Sequence, residues 1–104
     1  MTCIGFLSVA PVKEGSMAAD VADAVAALDE YDVEYQTTPM GTIIEAADSQ
    51  ELFAAASGAH AAVDSDRVST FLKVDDKRTV ESDAASKVEA VEEALGRPAR
   101  SDRD

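Results

Sequence analysis

Between Val33 and Glu45 the chain reads VEYQTTPMGTIIE, two short runs of β-branched and aromatic residues separated by Thr38 and Pro39. Such residues suit a pleated, half-buried surface, and proline has no amide to give to a strand ladder, so it marks the turn. The segment is read as two adjacent antiparallel strands, Val33 to Thr37 and Met40 to Ala46. It also sets polar groups among apolar ones, which makes it the first place to look for a ligand.

The flanks of this pair complete the pattern. Upstream, CIGFLSVA from Cys3 to Ala10 is nearly continuously apolar and stopped by Pro11, as expected of a strand buried on much of both faces. Ser16 then stands as an N-cap before Ala18, Val21, Ala22, Val25 and Leu28, which recur at helical spacing while Asp20, Asp23 and Asp29 point away. Downstream, Asp48 followed by Glu51 has the form of a capping box. Leu52, Ala55, Ala56, Ala59, Ala62 and Val63 make the apolar stripe of a second helix, whose polar side carries Ser57 and His60. Arg67 to Asp75 alternates and is rich in Val, Thr and Phe, a fourth strand.

The order βαββαβ predicts an α+β fold, the ferredoxin-like sandwich in which two helices cover one face of an antiparallel four-stranded sheet. The other face needs a cover, and a second copy of the chain is the economical one. An extra C-terminal helix follows, capped near Ser82, with Ala84, Val88, Val91 and Leu95 on one stripe, and is ended by Gly96 and Pro98. It is expected at a sheet edge or on a neighbouring subunit. Residues 1–97 are expected to form a single domain and residues 98–104 a disordered polar tail.

With 104 residues, 5% of them aromatic and no Trp, the core has to be assembled from Val, Ile, Leu and many alanines, each burying little area. Twenty-one acidic against nine basic residues give a formal charge of -12, which argues against binding nucleic acid through its phosphates. The acids are spread over helix faces rather than gathered in a tail, as in a surface adapted to salt, where repulsion is screened within roughly 3 Å at 1 M. A halophilic source is therefore expected, the alternative being an acidic protein of a mesophile. The single Cys3 allows no internal disulfide and suits a reducing cytoplasm, where it serves as a small core residue. No basic leader precedes a long apolar run and no segment approaches the ~20 apolar residues that span a bilayer, so the expectation is a soluble, cytoplasmic protein with no membrane partner.

Thr38, Thr42, Glu45, Ser69, Thr70 and Lys73 lie on otherwise apolar segments, and buried polar groups need partners. Alternation puts Met40, Thr42 and Ile44 on one face and Gly41, Ile43 and Glu45 on the other, so these groups cannot all line one pocket within a subunit. Glu45 reads either as a carboxylate that holds a cation or an aminopyrimidine, or as a solvated strand-end acid paired with Lys73 across neighbouring strands. His60, the only histidine, sits on a polar helix face with no nucleophile beside it. Gly5 and Gly41 are isolated and form no phosphate cradle, and the residues after the first strand, Pro11 to Gly15, contain no Arg of the acylphosphatase kind. No catalytic set, resident cofactor or metal site is expected.

Tyr35, then Pro39-Met40-Gly41-Thr42 with Glu45, then Arg67-Val68-Ser69-Thr70 and Lys73-Val74-Asp75, occur in an order that resembles the small thiamine-binding family of methanogen type, formerly an uncharacterised conserved family. The resemblance also takes in Pro11, Gly15-Ser16 and Arg78, and so spans nearly the whole domain. It implies a ferredoxin-like fold, homodimers formed through the sheets and often homotetramers, and thiamine or its hydroxymethylpyrimidine half as ligand. One departure is Ala46, where the family commonly has Gly after the acid. A flat aminopyrimidine with a cationic thiazolium calls for an aromatic wall, a few orienting hydrogen bonds and a carboxylate. Phe6, Phe71 or Tyr35 would be the wall, Thr38, Thr42 and Ser69 the orienting groups, and Glu45 the carboxylate. The expected function is a non-enzymatic carrier, buffer or sensor; the alternative is an oligomeric regulatory or assembly module with no small-molecule ligand. An enzyme using a lone acid or His60 as base is the third class.

Overall fold

Strict alternation governs the first strand. In the computed structural model, which describes residues 2–78 and 84–99, β1 spans Cys3–Pro11, and Cys3, Gly5, Leu7, Val9 and Pro11 are buried while the residues between them are half-buried. The strand therefore has one core face and one semi-open face, rather than burial on much of both. Pro11 is its last residue, where a missing amide costs least.

The remaining elements are α1 (Ala18–Ala27), a 3-10 turn (Leu28–Glu30), β2 (Val33–Thr38), β3 (Gly41–Ala46), α2 (Ser49–Ala61), β4 (Val68–Asp76) and α3 (Ala84–Leu95). The sheet order is β2-β3-β1-β4 with every neighbouring pair antiparallel, which is the ferredoxin-like arrangement. Because β1 lies between β3 and β4, Lys73 and Glu45 are not on neighbouring strands, and their direct cross-strand pairing is ruled out by topology. Lys73 instead faces Phe6, and Glu45 faces Ile4.

Local chemistry sets the boundaries. Ser16 is one residue earlier than the cap position of α1, yet its Oγ accepts from the Ala18 amide at 3.3 Å. The carboxylate of Asp48 caps α2 by accepting from Glu51 N at 2.9 Å. Glu51 does not close the box; its own carboxylate accepts from Asp32 N at 3.1 Å, tying the start of α2 to the loop before β2. At the β2–β3 turn one hydroxyl organises the backbone: Thr38 Oγ1 donates to the Gly41 carbonyl at 2.8 Å and accepts from the amides of Met40 and Gly41 at 3.2 Å each.

The core sits between the sheet and the first two helices. Leu28, Ile44, Leu52 and Cys3 are its largest fully buried side chains, and Ala24, Ala55, Ala56 and Ala59 let the helices approach the strands closely. The predicted stripe of α2 is thus the buried one, whereas α1 turns Ala24 inward and leaves Ala18 and Ala22 exposed, with Leu28 of the 3-10 turn buried just beyond it. Burial pushes the Cys3 thiol up, and the nearby Asp76 carboxylate adds to the shift, as expected of an unreactive core thiol.

α3 buries none of its residues, and Val88, Val91 and Leu95 are exposed along one side. Its start is placed not at a sheet edge but over the open face, where it meets residues of β3 and β4. The expected cap at Ser82 and the tail residues 100–104 lie outside the described residues. Gly96 ends the helix with a φ of +74°, its amide donating to the Glu92 carbonyl at 2.9 Å, the left-handed stop that glycine adopts at little cost.

Candidate functional site

Register aligns the open-face side chains in rows across the sheet. Glu34, Glu45, Ile4 and Asp75 form one row, and Gln36, Ile43, Phe6 and Lys73 the next. Further along, Phe71 stands opposite Ser8, and Ser69 opposite Ala10. Phe6 and Phe71 meet edge to face, with ring centroids 6.5 Å apart and planes at 69°. The face is therefore apolar in its middle and acidic at the end where β3 and β4 finish.

That acidic end is where α3 begins. Glu45 Oε1 accepts from the Ala84 amide at 2.5 Å, so a strand carboxylate serves a free N–H of the first helical turn at the positive end of the dipole. Asp75 Oδ2 pairs with Lys87 Nζ at 2.7 Å. The Lys87 ammonium holds the Asp75 carboxyl below its ordinary range, with Lys73 and Lys77 contributing. Between α3 and the open face lies a cleft of about 1190 Å³, floored by Ile4, Phe6 and Ile43 and edged by Glu34, Glu45 and Lys73 on the sheet side. Val88, Glu89 and Glu92 of α3 edge its other side. An apolar floor with a few polar groups at its margins is the usual form of a small-molecule site.

The seven residues singled out from the sequence are divided between two faces. Phe6 and Glu45 line the cleft together. Tyr35 borders it as part of β2, but pairs with Ile44 on the helix side, where its hydroxyl donates to Asp29 Oδ1 at 2.6 Å. That bond, and the charge of Asp29, raise the phenol pKa. Thr42 is only 5% exposed and faces the helices, its hydroxyl 3.5 Å from that of Thr37. Thr38 lies on the open side but has its hydroxyl committed to the turn. Ser69 and Phe71 share the open face with Phe6 but lie toward the opposite end from Glu45. His60 lies on the helix side, its Nδ1 2.5 Å from Thr70 Oγ1, away from the cleft.

The sequence reading missed Gln36 and Ile43, which follow from the same period-two alternation that places Glu45, and the α3 side chains Val88, Glu89 and Glu92. No local signal places α3 there, since the contact that positions it joins residues 39 apart in the chain. Among the described residues, no three His, Cys, Asp or Glu side chains are grouped to hold a metal ion, and no helix is long and apolar enough to cross a membrane.

Fold and cleft together define a class: a ferredoxin-like α+β domain that presents an apolar, acid-edged cleft on the open face of its sheet. Within that class, the chain belongs to the thiamine-binding protein family, whose model matches residues 6–92. It is 45% identical over 83 residues to a UPF0045 protein of Methanothermobacter thermautotrophicus, covering 77% of this chain and 84% of that one. It is 33% identical over 90 residues to UPF0045 protein MJ1052 of Methanocaldococcus jannaschii, covering 84% and 89%. The crystal structure of MJ1052 superposes with a TM-score of 0.81 over 88% of this chain and 97% of that one, at 32% identity. A putative thiamine biosynthesis/salvage protein of Thermotoga maritima superposes with a TM-score of 0.75 over 88% and 99% at 17% identity, a likeness of fold alone.

Proposed function

We propose that this protein is a non-catalytic binder of thiamine or its hydroxymethylpyrimidine half, acting as a carrier, buffer or sensor, with the cleft under α3 as its site. The observation that carries this reading is the Phe6 and Ile43 floor with the Glu45 carboxylate at its edge, in a chain of the thiamine-binding family. A flat ring lies on the apolar floor, and Glu45 accepts from the exocyclic amine or faces the thiazolium charge. Gln36, two positions from Glu34 on the same face, can give or accept one further orienting bond. Thr42 has no part in this site, because it faces the opposite side of the sheet.

Titration calorimetry with thiamine and with hydroxymethylpyrimidine tests the reading. Saturable heat at one ligand per subunit is expected, and Glu45→Gln weakens binding of both. Absence of heat and of thermal stabilisation in the folded protein would leave the assembly module as the better account.

A specific observation also favours self-association, as homodimers through the sheets or a homotetramer built from them. Away from the cleft, the open side exposes Phe71 at 59%, its ring edge-on to that of Phe6. A large ring left uncovered on a sheet face that needs a cover is a natural contact for a second copy. The two uses share the face, the ligand at the α3 end and a second copy at the Phe71 end.

A further inference from the structure

Resting on the reading of the cleft as the ligand site, we infer that it admits the flat aromatic cation only without phosphate, and that carboxylates from both the sheet and α3 enforce this. Five carboxylates line the cleft, those of Glu34, Glu45, Asp75, Glu89 and Glu92, against the ammonium groups of Lys73 and Lys87, a formal excess of three negative charges. Ion pairing leaves that excess unchanged, because it takes up one charge of each sign, and it decides where the excess sits. Lys87 is bound to Asp75 at 2.7 Å, and Lys73 lies one row along on the same strand, where it also acts on Asp75. Among the described residues, neither Glu34 nor Glu89 meets a cation. They stand on opposite walls, one on β2 and one on α3, so a ligand on the Phe6 floor has unneutralised acid on both sides.

Among the described residues no arginine lines the cleft. At the start of α3 the Ala84 amide, a donor an anion could use, is already taken by Glu45. A phosphate adds close to two negative charges at neutral pH. Like charges set against each other across so narrow a cleft repel, whereas a thiazolium gains from the same field. The cleft is therefore selective by sign.

Competition binding of thiamine, thiamine monophosphate, thiamine diphosphate and the O-acetyl ester, which keeps the thiazolium charge and adds a neutral group, tests this, at about 0.1 M and about 1 M KCl, between which the Debye length falls from roughly 10 to 3 Å. Thiamine and the acetyl ester are expected to bind alike, with the diphosphate roughly tenfold or more weaker at the lower salt and the gap narrowing at the higher. Glu89→Lys with Glu92→Lys, two substitutions on a helix that buries nothing, should raise diphosphate affinity while the far-UV circular dichroism stays that of the parent. Equal binding of thiamine and its diphosphate would overturn the inference while leaving the binder intact. So would rejection of the acetyl ester as strongly as the phosphates, which would make the selection steric. Failure of thiamine itself to bind would remove the functional reading and this one with it.

Discussion

Gly41 shows what one missing methyl group does at this site. A Cβ there would lie 2.6 Å from Phe6 Cζ and 2.8 Å from the Leu7 carbonyl oxygen, and although the ring can turn, the backbone oxygen cannot yield without bending β1. Gly41→Ala is expected to destabilise the fold by about 1–3 kcal/mol and to displace the Phe6 ring from the cleft floor, which urea unfolding and the ring's NMR shifts would report. On the core side, Leu52 is completely buried against the sheet, so Leu52→Ala should cost about 2–5 kcal/mol in the same unfolding measurement. The face on which each strand residue stands was legible in the sequence, since alternation alone separates Thr42 from Glu45. The partner of each hydroxyl and carboxylate was not, because Asp29 reaches Tyr35 and the Ala84 amide reaches Glu45 through folded geometry rather than through spacing.

At the scale of elements, α3 is the loosely held one. It docks through the Glu45–Ala84 bond and the Lys87–Asp75 ion pair, without burying a side chain. Lys87 depresses the Asp75 carboxyl pKa in the folded state. The contribution is therefore complete at pH values above the unfolded carboxylate range and is lost as pH falls through the lowered folded value. The Lys87–Asp75 contact should persist at neutral pH and be lost only in acid; a carbon-detected NMR titration of the Asp75 carboxyl, compared with Lys87→Met, would show the substitution returning Asp75 toward its ordinary range. The order and type of the strands and of all three helices could be read from hydrophobic period and cap residues. The placement of α3 could not, because its exposed stripe of Val88, Val91 and Leu95 fits an edge, a face or a neighbour equally well, and polar contacts such as those of Glu45 and Asp75 decide among them.

For the whole molecule, charge and surface set the behaviour. A formal charge of -12 on 104 residues repels itself in dilute buffer, and screening should raise the melting temperature by several degrees between about 0.1 M and 2 M KCl, a shift that roughly 1 kcal/mol produces in a domain of this size. An unchanged melting point across that range would argue against a salt-adapted surface. The exposed Phe71 is the most direct handle on assembly: Phe71→Glu is expected to shift the protein toward the monomer in sedimentation equilibrium without altering the register of β4. The ferredoxin-like architecture was legible in the sequence because each strand and helix of its βαββαβ order carries its own period. The use made of its open face was less so, since occupancy of that face depends on α3 and on partners that no periodicity encodes.

The Glu45 carboxylate has a consequence for how the protein could be watched at work. The carboxylate that holds the Ala84 amide is also the one proposed to meet a cationic guest, so helix start and guest are linked, and whatever one does to the other is returned by the same factor. Hydrogen exchange at that single amide would then count occupied sites, with no label on the ligand and none on the protein.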